Sequence, residues 1–310
     1  MMKTILLLVL VSLSMLSCTF FGNEPDSYED FPNDLVHDRF QMRHLDYDEL
    51  NYTRGYTYDL SCHVYDDENG IQMRMYNGQL YYHPVASALD CLLCLEDYLT
   101  TDDERMLDYV SMTLHRFVEM SDIYEDAVYF PYEFLFMYHG TDAMMPNWYS
   151  AMSQGLFLSS FARMYYLTGD EWFYEQGTRV LRSFKQFDKD IPTVFLQDGY
   201  YWLDEYPVPN AEQKVRVLNG MIHAICGLYD WWWATGDETC RYMLECALTT
   251  IKDNIDQYRV IGGPSYYCLK YRVQDPNYHK MHTEQLTYLG HITGDTFFTD
   301  MALKFYGDSH

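Results

Sequence analysis

The residues with the clearest chemical potential are one glutamate and a group of tyrosines in the second half of the chain. Glu205 stands among aromatic residues, and a carboxyl desolvated by such neighbours acquires a raised pKa that suits acid/base work. A tyrosine offers a face on which a sugar can stack and a phenol that donates or accepts a proton. The tyrosines concentrated in this region are Tyr200, Tyr201, Tyr206, Tyr266, Tyr267, Tyr271 and Tyr278. The simpler interpretation is a rim carboxylate beside aromatic loops that plug the end of a domain.

Other common kinds of catalytic centre are not indicated. His279 and His282 form the one histidine pair near these tyrosines, and two ligands without a convincing acidic third do not predict a metal site. The sequence contains no nucleophile elbow, phosphate-binding loop or dinucleotide fingerprint. Seven cysteines beyond Cys18 are irregularly spaced, which favours small buried residues over a disulfide framework. We therefore predict no metal and no cofactor.

A short phrase that recurs four times predicts the elements that position these side chains. It reads Thr-Thr-Asp-Asp at 100–103 and Thr-Gly-Asp at 168–170, 235–237 and 293–295. Each copy lies between two stretches of helical periodicity, glycine suits the position after a helix, and aspartate caps the next helix. We predict a mainly α fold, an incomplete (α/α) toroid of about four helix hairpins. The alternative is an irregular helical domain in which the turns recur by coincidence.

Three segments between the helical stretches are typical of β-hairpins. Residues 127–140 are aromatic and bounded by turns, and residues 193–203 contain Asp198-Gly199 as a turn. Residues 56–82 alternate in polarity and contain two Asn-Gly turns, which predicts a small β-rich segment before the helices. Insertions of this kind line one mouth of a toroid, so we expect the functional site there.

The amino terminus is typical of a lipoprotein signal peptide over residues 1–18. Lys3 precedes an apolar run that reaches Leu16 and is too short to span a bilayer, and Ser17-Cys18 follows it as in a lipobox. Ordinary secretion is the alternative. We predict lipidation at Cys18, an acidic tether over 19–35, the small β-rich segment over 36–80 and the toroid over 81–310. The mature protein is then expected on the outer side of the inner membrane, lipid-anchored to a bacterial cell envelope.

The charge balance excludes one class of partner and complicates another. Among 310 residues, 46 Asp and Glu oppose 21 Lys and Arg, a formal net charge of −25, so a broad basic face for nucleic acid is excluded. The same charge repels an anionic polysaccharide at long range, although physiological salt screens it beyond about 8 Å. A local basic patch near the motifs could still bind such a polymer, and its candidate members are Lys214, Arg216, Lys270, Arg272 and Lys280.

A series of motifs, in order, resembles the heparosan/heparan D-glucuronyl C5-epimerases. The motifs are Asn147–Gly155, Trp202–Pro207, Leu218–Gly220, Gly227–Asp230, Tyr267–Lys270 and Tyr278–Leu286, with Leu80–Pro84 similar to the entry of the same domain. The resemblance covers about residues 70–305, which corresponds to the family's helical catalytic domain. Two departures stand out. The segment before residue 80 is shorter than the β-rich domain of the animal enzymes, and Cys268-Leu269-Lys270 replaces Asp-Leu-Arg, whose arginine binds carboxylates bidentately.

The resemblance implies inversion at C5 of D-glucuronate within a polysaccharide, giving L-iduronate without a cofactor. Glu205 and Tyr278 match the opposed acid/base pair of the family, and Tyr206 and Tyr267 match tyrosines that assist or orient. We expect Lys270 or Arg272 to meet the uronate carboxylate. The other predicted substrate contacts are Asn147, Trp202, Asn219, His279 and His282.

The predicted partners are a uronic-acid polysaccharide and, through Cys18, a membrane; the sequence leaves open a homodimer that completes the cleft. A polysaccharide lyase is the main alternative enzyme, because β-elimination begins with the same removal of the C5 proton. A non-catalytic, surface-anchored glycan-binding lipoprotein is the third hypothesis. A glycosidase is disfavoured, since no second carboxylate is evidently paired with Glu205.

Overall fold

The computed structural model describes residues 31–52, 58–187, 193–208 and 213–309. The predicted signal peptide, Cys18 and the first part of the predicted tether lie outside the described residues.

Eight helices form four antiparallel pairs in the described part of the chain. Each tight turn joins two consecutive helices at one of the four repeated phrases, which confirms the predicted fold of helix hairpins. The helices are α1 (Pro84–Thr101), α2 (Glu104–Glu119), α3 (Ala151–Thr168), α4 (Glu171–Arg182), α5 (Leu218–Thr235), α6 (Glu238–Asn254), α7 (Pro276–Thr293) and α8 (Thr296–Asp308).

The four tight turns share one backbone solution. The residue after each first helix adopts a left-handed conformation, with φ of 68° at Gly169, 72° at Gly236 and 65° at Gly294. Asp102 takes this position in the first hairpin with φ of 55°, as a short polar side chain can. The aspartate that follows each of these residues accepts a hydrogen bond from a backbone N–H of the next helix. Local chemistry is therefore enough to place every hairpin turn.

The first helix of each pair faces the interior. Helices α1, α3, α5 and α7 pack against one another in that order, while α2, α4, α6 and α8 lie outside them. The contact between α3 and α5 is the most extensive, and a Cβ on Gly155 or Gly227 would overlap the backbone of the opposite helix. Glycine is needed at both positions because the two helices cross in direct backbone contact. All four inner helices start at the same end of the bundle.

Short β-hairpins occupy the segments before α1, α3 and α5. Four antiparallel two-stranded sheets are present among the described residues. The predicted hairpin at 193–203 is confirmed with its turn at Asp198-Gly199, whereas the single hairpin expected at 127–140 is divided between two sheets. The strands are β1 (Arg74–Tyr76), β2 (Gln79–Tyr81), β3 (Asp122–Tyr124), β4 (Ala127–Tyr129), β5 (Phe136–Tyr138), β6 (Asp142–Met144), β7 (Val194–Gln197) and β8 (Tyr200–Leu203).

The segment before α1 differs from the expected β-rich unit. Within its described part, β1 and β2 are the only paired strands, and residues 31–52 run as an irregular strap over the helices. Their backbone hydrogen bonds go to distant elements, as from the Arg43 N–H to the Ile292 carbonyl, 2.8 Å. The strap also contradicts a solvated tether that extends to residue 35, because Phe31 and Leu35 are buried. Apolar anchors spaced four to five residues apart fix the strap to the helices, and they are Phe31, Leu35, Phe40, Leu45 and Leu50.

Two further findings concern the described residues alone. No helix among them combines the length and the apolar character that a bilayer crossing requires. The six cysteines whose side chains are described are buried thiols, as their irregular spacing predicts, and they are Cys91, Cys94, Cys226, Cys240, Cys246 and Cys268.

Candidate active site

A cavity of about 680 Å³ opens at the end of the bundle where the inner helices start. All four inner helices contribute residues from their first turns or nearby, and the hairpins before them complete the wall. Val85 of α1, Met152 of α3, Asn219 of α5 and Tyr278 of α7 lie around it. Four hairpins arranged round an axis thus bring residues that are almost 200 positions apart in sequence to one mouth.

Glu205 lies at the inner wall of this cavity. It follows β8 and is 6% exposed, and burial raises the pKa of its carboxyl to about 7. A hydrogen bond with Tyr206 opposes that rise, the charge of the neighbouring Asp204 adds to it, and a hydrogen bond from Tyr267 lowers it again. The Tyr267 hydroxyl donates to Glu205 Oε1 across 3.4 Å. The carboxyl therefore exchanges a proton near neutral pH.

Two further features shape the setting of Glu205. Asp204 is fully buried, and burial also raises its pKa to about 7. When the Asp204 carboxyl is ionised, its negative charge raises the pKa of Glu205. Gly220, in the first turn of α5, lies against the Glu205 carboxylate, and a Cβ there would overlap it. The Leu218-Asn219-Gly220 motif thus leaves room for the carboxyl at the start of α5.

Tyr278 stands near Glu205 on another element. It is the third residue of α7 and lines the cavity, and its ring centroid lies 4.3 Å from that of Tyr267. Burial raises the pKa of the Tyr278 phenol, the charge of Glu205 raises it further, and a hydrogen bond with Tyr267 lowers it. A tyrosine that serves as a base needs a phenol pKa lowered far below about 10, and the raised pKa of Tyr278 does not meet that requirement. Tyr278 is a neutral proton donor at neutral pH.

A loop between α6 and α7 positions Tyr267. Its backbone N–H donates to the Val273 carbonyl at 2.7 Å, and its carbonyl accepts from the Leu218 N–H at 3.1 Å. These bonds fix the tyrosine between the start of α5 and the start of α7. Burial and the charge of Glu205 raise the pKa of the Tyr267 phenol far above its ordinary value. Tyr267 is therefore a permanent hydrogen-bond donor and not a base.

The two predicted histidine contacts have a structural place instead. His279 Nδ1 accepts from the Ser265 N–H at 2.9 Å, and its Nε2 lies 2.9 Å from the Phe305 carbonyl. His282 Nδ1 lies 2.8 Å from Ser265 Oγ, and burial lowers the pKa of His282 to about 3. Neither residue lines the cavity. Both fasten the loop that carries Tyr267 to α7.

The two cations expected at the uronate carboxylate also lie outside the cavity lining. Lys270 Nζ pairs with Asp142 Oδ2 at 2.5 Å, on the β5–β6 hairpin, and the Tyr271 hydroxyl donates to the same oxygen at 2.6 Å. The Arg272 guanidinium lies over the ring of Tyr266, 5.8 Å from its centroid. None of the described residues that line the cavity is a lysine or an arginine.

Of the other predicted contacts, Asn219 lines the cavity and two do not. Asn147 is exposed and adopts φ of 69°, a turn conformation that asparagine tolerates, while its N–H donates to the Tyr132 carbonyl. Trp202 is buried on β8, and the guanidinium of Arg216 lies 4.5 Å from its ring centroid. These two motif residues shape the surroundings of the site.

The sequence did not indicate that two stacked aromatic pairs form part of the cavity wall. Tyr76 and Phe134 stack with centroids 4.0 Å apart, and Tyr132 and Trp148 stack at 3.9 Å. His83, His223 and Gln285 were also not assigned roles, although His83 and Gln285 stand within motifs that carry the resemblance. The aromatic clusters come from separate insertions, so no local spacing indicates that they meet.

The fold and the groups in the cavity together define a class of protein. It is an (α/α) toroid whose open mouth holds a buried carboxyl, two linked phenols and a stacking wall, which suits acid/base chemistry on a glycan. Among the described residues, no group of three or more His, Cys, Asp or Glu side chains is placed to hold a metal ion.

The chain belongs to the D-glucuronyl C5-epimerase family, by its C-terminal domain. The family model described as "D-glucuronyl C5-epimerase C-terminus" matches residues 125–307, more than half of the chain, and confirms the resemblance that the motifs indicated. A D-glucuronyl C5-epimerase of Caenorhabditis elegans is 33% identical over 85 residues. That stretch covers 27% of this chain and only 13% of the worm protein.

Solved structures resemble the chain in fold. The cellobiose 2-epimerase of Bacillus thermoamylovorans has a TM-score of 0.50 at 14% identity, covering 72% of this chain and 58% of that one. A family 76 glycoside hydrolase (mannosidase) of Bacteroides thetaiotaomicron has a TM-score of 0.46 at 12% identity, covering 72% and 61%. At this level of identity, the cellobiose epimerase supports the toroid architecture and nothing about the substrate.

Proposed function

We propose that the protein inverts C5 of D-glucuronate residues within a heparosan-like polysaccharide, giving L-iduronate. The observation that carries the proposal is the pairing, in one cavity, of a carboxyl whose pKa is raised to about 7 by burial with a neutral phenol on a different element, helix α7. A proton removed from one face of a sugar ring and returned to the other requires such a pair. Membership of the epimerase family supports the same reaction.

The pKa values assign the roles. Glu205 is ionised in a large fraction of molecules at neutral pH, so it is the base that removes the proton from C5. The electron pair of the C–H bond moves into the carboxylate and gives an enediolate, and Tyr278 then donates its phenolic proton to the opposite face of C5. Tyr206 and Tyr267 tune the base through their hydrogen bonds. A positioned acid or base of this kind contributes roughly 10²–10⁴-fold to the rate.

The shape of the site supports a polymeric substrate. A cavity of about 680 Å³ is larger than one monosaccharide needs and is open at the mouth. Its aromatic wall offers stacking faces to neighbouring sugars of a chain. Polar residues of the same cavity lining, which include Asn219 and Gln285, provide amide groups that can recognise sugar hydroxyls.

The decisive experiment follows C5 by NMR in heavy water, with purified residues 19–310 and unsulfated heparosan. Deuterium at C5 together with new iduronate signals, and without a rise in ultraviolet absorbance, is the expected result. An absorbance rise with chain shortening would mean an unsaturated uronate and hence a lyase. Binding without exchange would leave a glycan-binding protein and overturn the epimerase proposal for this polymer.

Two substitutions test the assigned roles. We expect Glu205→Gln and Tyr278→Phe to lower kcat by about 10²–10⁴-fold while circular dichroism and Tm stay close to those of the wild type. The matched controls are Glu119→Gln and Tyr174→Phe, which change the same residue types on the outer helices α2 and α4. If either active-site variant retains near-full turnover, its role assignment is wrong.

We further propose that the chain is exported and anchored by a lipid on Cys18. The support is the sequence alone, a charged start and an apolar run that end in Leu16-Ser17-Cys18. Metabolic labelling with a fatty acid, in wild type and in Cys18→Ser, tests this; label that persists in the variant contradicts it.

A further inference from the structure

The proposed reaction leaves one chemical demand without a residue. Loss of the C5 proton places negative charge on the substrate carboxylate, and donors aimed at that charge are usually the largest catalytic contribution. The expected cations do not meet this demand, since Lys270 pairs with Asp142 and Arg272 lies over Tyr266. If the proposed function holds, the donor must therefore be another described residue of the cavity.

His83 is a cavity residue with a fixed orientation. It precedes Pro84, the first residue of α1, and acts as the N-cap of that helix. Its Nδ1 accepts the Ala86 N–H at 3.3 Å, one of the helix-terminal donors that needs a partner. The ring is also held by an edge contact with Tyr132, at 5.2 Å between centroids, and by stacking on Tyr76 at 5.9 Å. Capping and packing thus set the direction of the imidazole.

The capping bond determines the tautomer. A nitrogen that accepts a hydrogen bond carries no proton, so the proton of the neutral ring is on Nε2. Among the described residues, Nε2 of His83 has no hydrogen-bond partner. It is also not one of the fully buried polar atoms that lack a partner. The residue lines the cavity, so this N–H is available to a ligand.

The ring is also neutral at the pH of the proposed reaction. Burial lowers the pKa of His83 to about 4, against an opposing contribution from a hydrogen bond with its own backbone and with a smaller lowering contribution from the positive charge of Arg74. A cation at a helix N-terminus is unfavourable as well, because the helix dipole is positive there. Protonation would moreover remove the acceptor that caps α1. A neutral imidazole therefore remains, with Nε2–H as its one donor.

We propose that His83 is a catalytic residue that donates a hydrogen bond from Nε2–H to the carboxylate of the reacting uronate. When Glu205 takes the C5 proton, negative charge grows on the carboxylate oxygens and this bond strengthens. No proton leaves His83. Tyr278 then gives its phenolic proton to C5, the charge on the carboxylate falls, and the imidazole keeps its starting tautomer. Glu205 is left protonated and Tyr278 as a phenolate, and proton exchange with water after the step restores both.

The location of His83 relative to the base agrees with this role. Tyr132 contacts the His83 ring, and the charge of Glu205 reaches the Tyr132 phenol strongly enough to raise its pKa. Glu205 and His83 therefore line the same cavity, and the ring of Tyr132 lies near both of them. A uronate whose C5 lies at Glu205 carries its carboxylate on that same carbon, inside the cavity that His83 also lines.

Two substitutions separate the donor from the cap. Asparagine is a good N-cap but has no group at the position of Nε2, so His83→Asn keeps α1 and removes the donor. Glutamine places an amide N–H near that position and caps poorly, so His83→Gln keeps the donor and weakens the cap. Both variants are compared with the wild type by Tm, by kcat and KM on unsulfated heparosan, and by C5 exchange in heavy water.

We expect His83→Asn to keep the wild-type Tm and to lose roughly 10²–10³-fold in kcat, the usual effect of removing one such donor. His83→Gln should lower Tm yet remain within about tenfold of the wild-type kcat, because a neutral donor is restored. A merely structural role predicts the reverse order, with activity following Tm. Wild-type turnover in a folded His83→Asn protein would overturn the proposal.

A second readout does not depend on turnover. Imidazole ¹⁵N spectra of the wild type at pH 7, assigned by comparison with His83→Asn, should show His83 as the neutral Nε2–H tautomer. A proton on Nδ1, or on both nitrogens, would overturn the proposal even if the enzyme is active. A wild type with the expected tautomer but without C5 exchange would instead contradict the proposed function, and the catalytic role of His83 would fall with it.

Discussion

At the scale of single residues, the site depends on a carboxyl whose pKa is set by competing neighbours. Burial and Asp204 raise the pKa of Glu205, while hydrogen bonds with Tyr206 and Tyr267 lower it. The balance of about 7 allows Glu205 to be both an ionised base before proton transfer and a stable acid after it. No single neighbour provides this value, so each can be removed to shift it.

We predict that Tyr206→Phe moves the rising limb of the pH profile of kcat/KM to higher pH. The base must be ionised, so activity rises with pH through the pKa of Glu205, and loss of a stabilising hydrogen bond raises that pKa. A hydrogen bond to a charged group is worth about 1.5–3 kcal/mol, which corresponds to a shift of roughly 1–2 pH units. The measurement is the pH dependence of kcat/KM between about pH 5 and about pH 9, a range that brackets the limb.

Tyr200→Phe is the matched control for this shift. Tyr200 is the first residue of β8, its hydroxyl donates to Asp253, and the residue does not line the cavity. Its profile should coincide with that of the wild type. An unchanged limb in Tyr206→Phe would mean that the pH dependence reports a group other than Glu205.

The sequence predicted which candidate acid/base residues lie at or beside the cavity better than it predicted the positions of the basic residues. Glu205, Tyr206, Tyr278 and Asn219 line the cavity, and Tyr267 contacts Glu205, as the order of the motifs indicated. The position of Lys270 was not predictable, because its partner Asp142 stands 128 residues earlier on a hairpin whose packing depends on tertiary contacts. A motif identifies which residues approach a site, whereas the direction of a long side chain depends on partners elsewhere in the chain.

At the scale of elements, the β5–β6 hairpin is joined to the loop that carries Tyr267. Lys270 and Tyr271 both bind Asp142, and Phe136 stacks on Tyr206 at 5.5 Å. Although burial opposes it, hydrogen bonds from Lys270 and Tyr271 lower the pKa of Asp142 below its ordinary value. The pair therefore stabilises this junction above the ordinary pKa of an aspartate and loses its effect as the pH falls through the lowered value.

We predict that Lys270→Met and Asp142→Asn have similar effects on the enzyme. Each breaks the same partly exposed ion pair, which is worth on the order of 1 kcal/mol, and each loosens the wall behind Tyr206. Both should raise KM several-fold and lower Tm slightly, and the double variant should be no worse than either single one. Unfolding curves and steady-state kinetics on the same polymer provide the measurement.

The comparison of the two variants distinguishes this junction from direct substrate binding. If Lys270 met the uronate carboxylate, Lys270→Met would raise KM, whereas Asp142→Asn would free the lysine and leave KM unchanged or lower. That divergence would contradict the structural role and restore the expectation drawn from the motif.

Elements with local causes were predictable and elements with distant causes were not. The turns at Gly169, Gly236 and Gly294 follow from a glycine and a capping aspartate that are adjacent in sequence. Residues 31–52 offer no such signal, because their partners are helices far along the chain. The backbone of the strap is hydrogen-bonded to Ile292, and its buried leucines pack in the core that those helices form. Alternating polarity alone therefore overstated the β content of the segment before α1.

At the scale of the whole molecule, an acidic protein is proposed to act on an acidic polymer. The net charge is −25, and the described residues that line the cavity include no lysine or arginine. The expected basic patch does not form as a unit around the cavity: Lys270 pairs with Asp142, and Lys280 lies 3.9 Å from Glu284. The converging N-termini of four inner helices provide a milder attraction for anions at the mouth.

We predict that kcat/KM on heparosan rises when ionic strength is increased from about 10 to about 150 mM, because salt screens the long-range repulsion. The rise should be a few-fold and should be the same for NaCl and KCl, while kcat at saturation changes little. Equal osmolality from sucrose is the control and should have no such effect. A fall in kcat/KM with added salt would instead indicate a net attractive patch at the mouth.

The two ends of the bundle differ in how the chain passes through them. One end contains the tight turns inside the hairpins and is crossed by part of the strap, whereas the other receives the long segments that lead into the inner helices. Residues added or lost at the second end lengthen a loop without altering the register of any helix pair. Insertions and deletions in these segments can therefore change what the mouth recognises, while the packing of the eight helices stays the same.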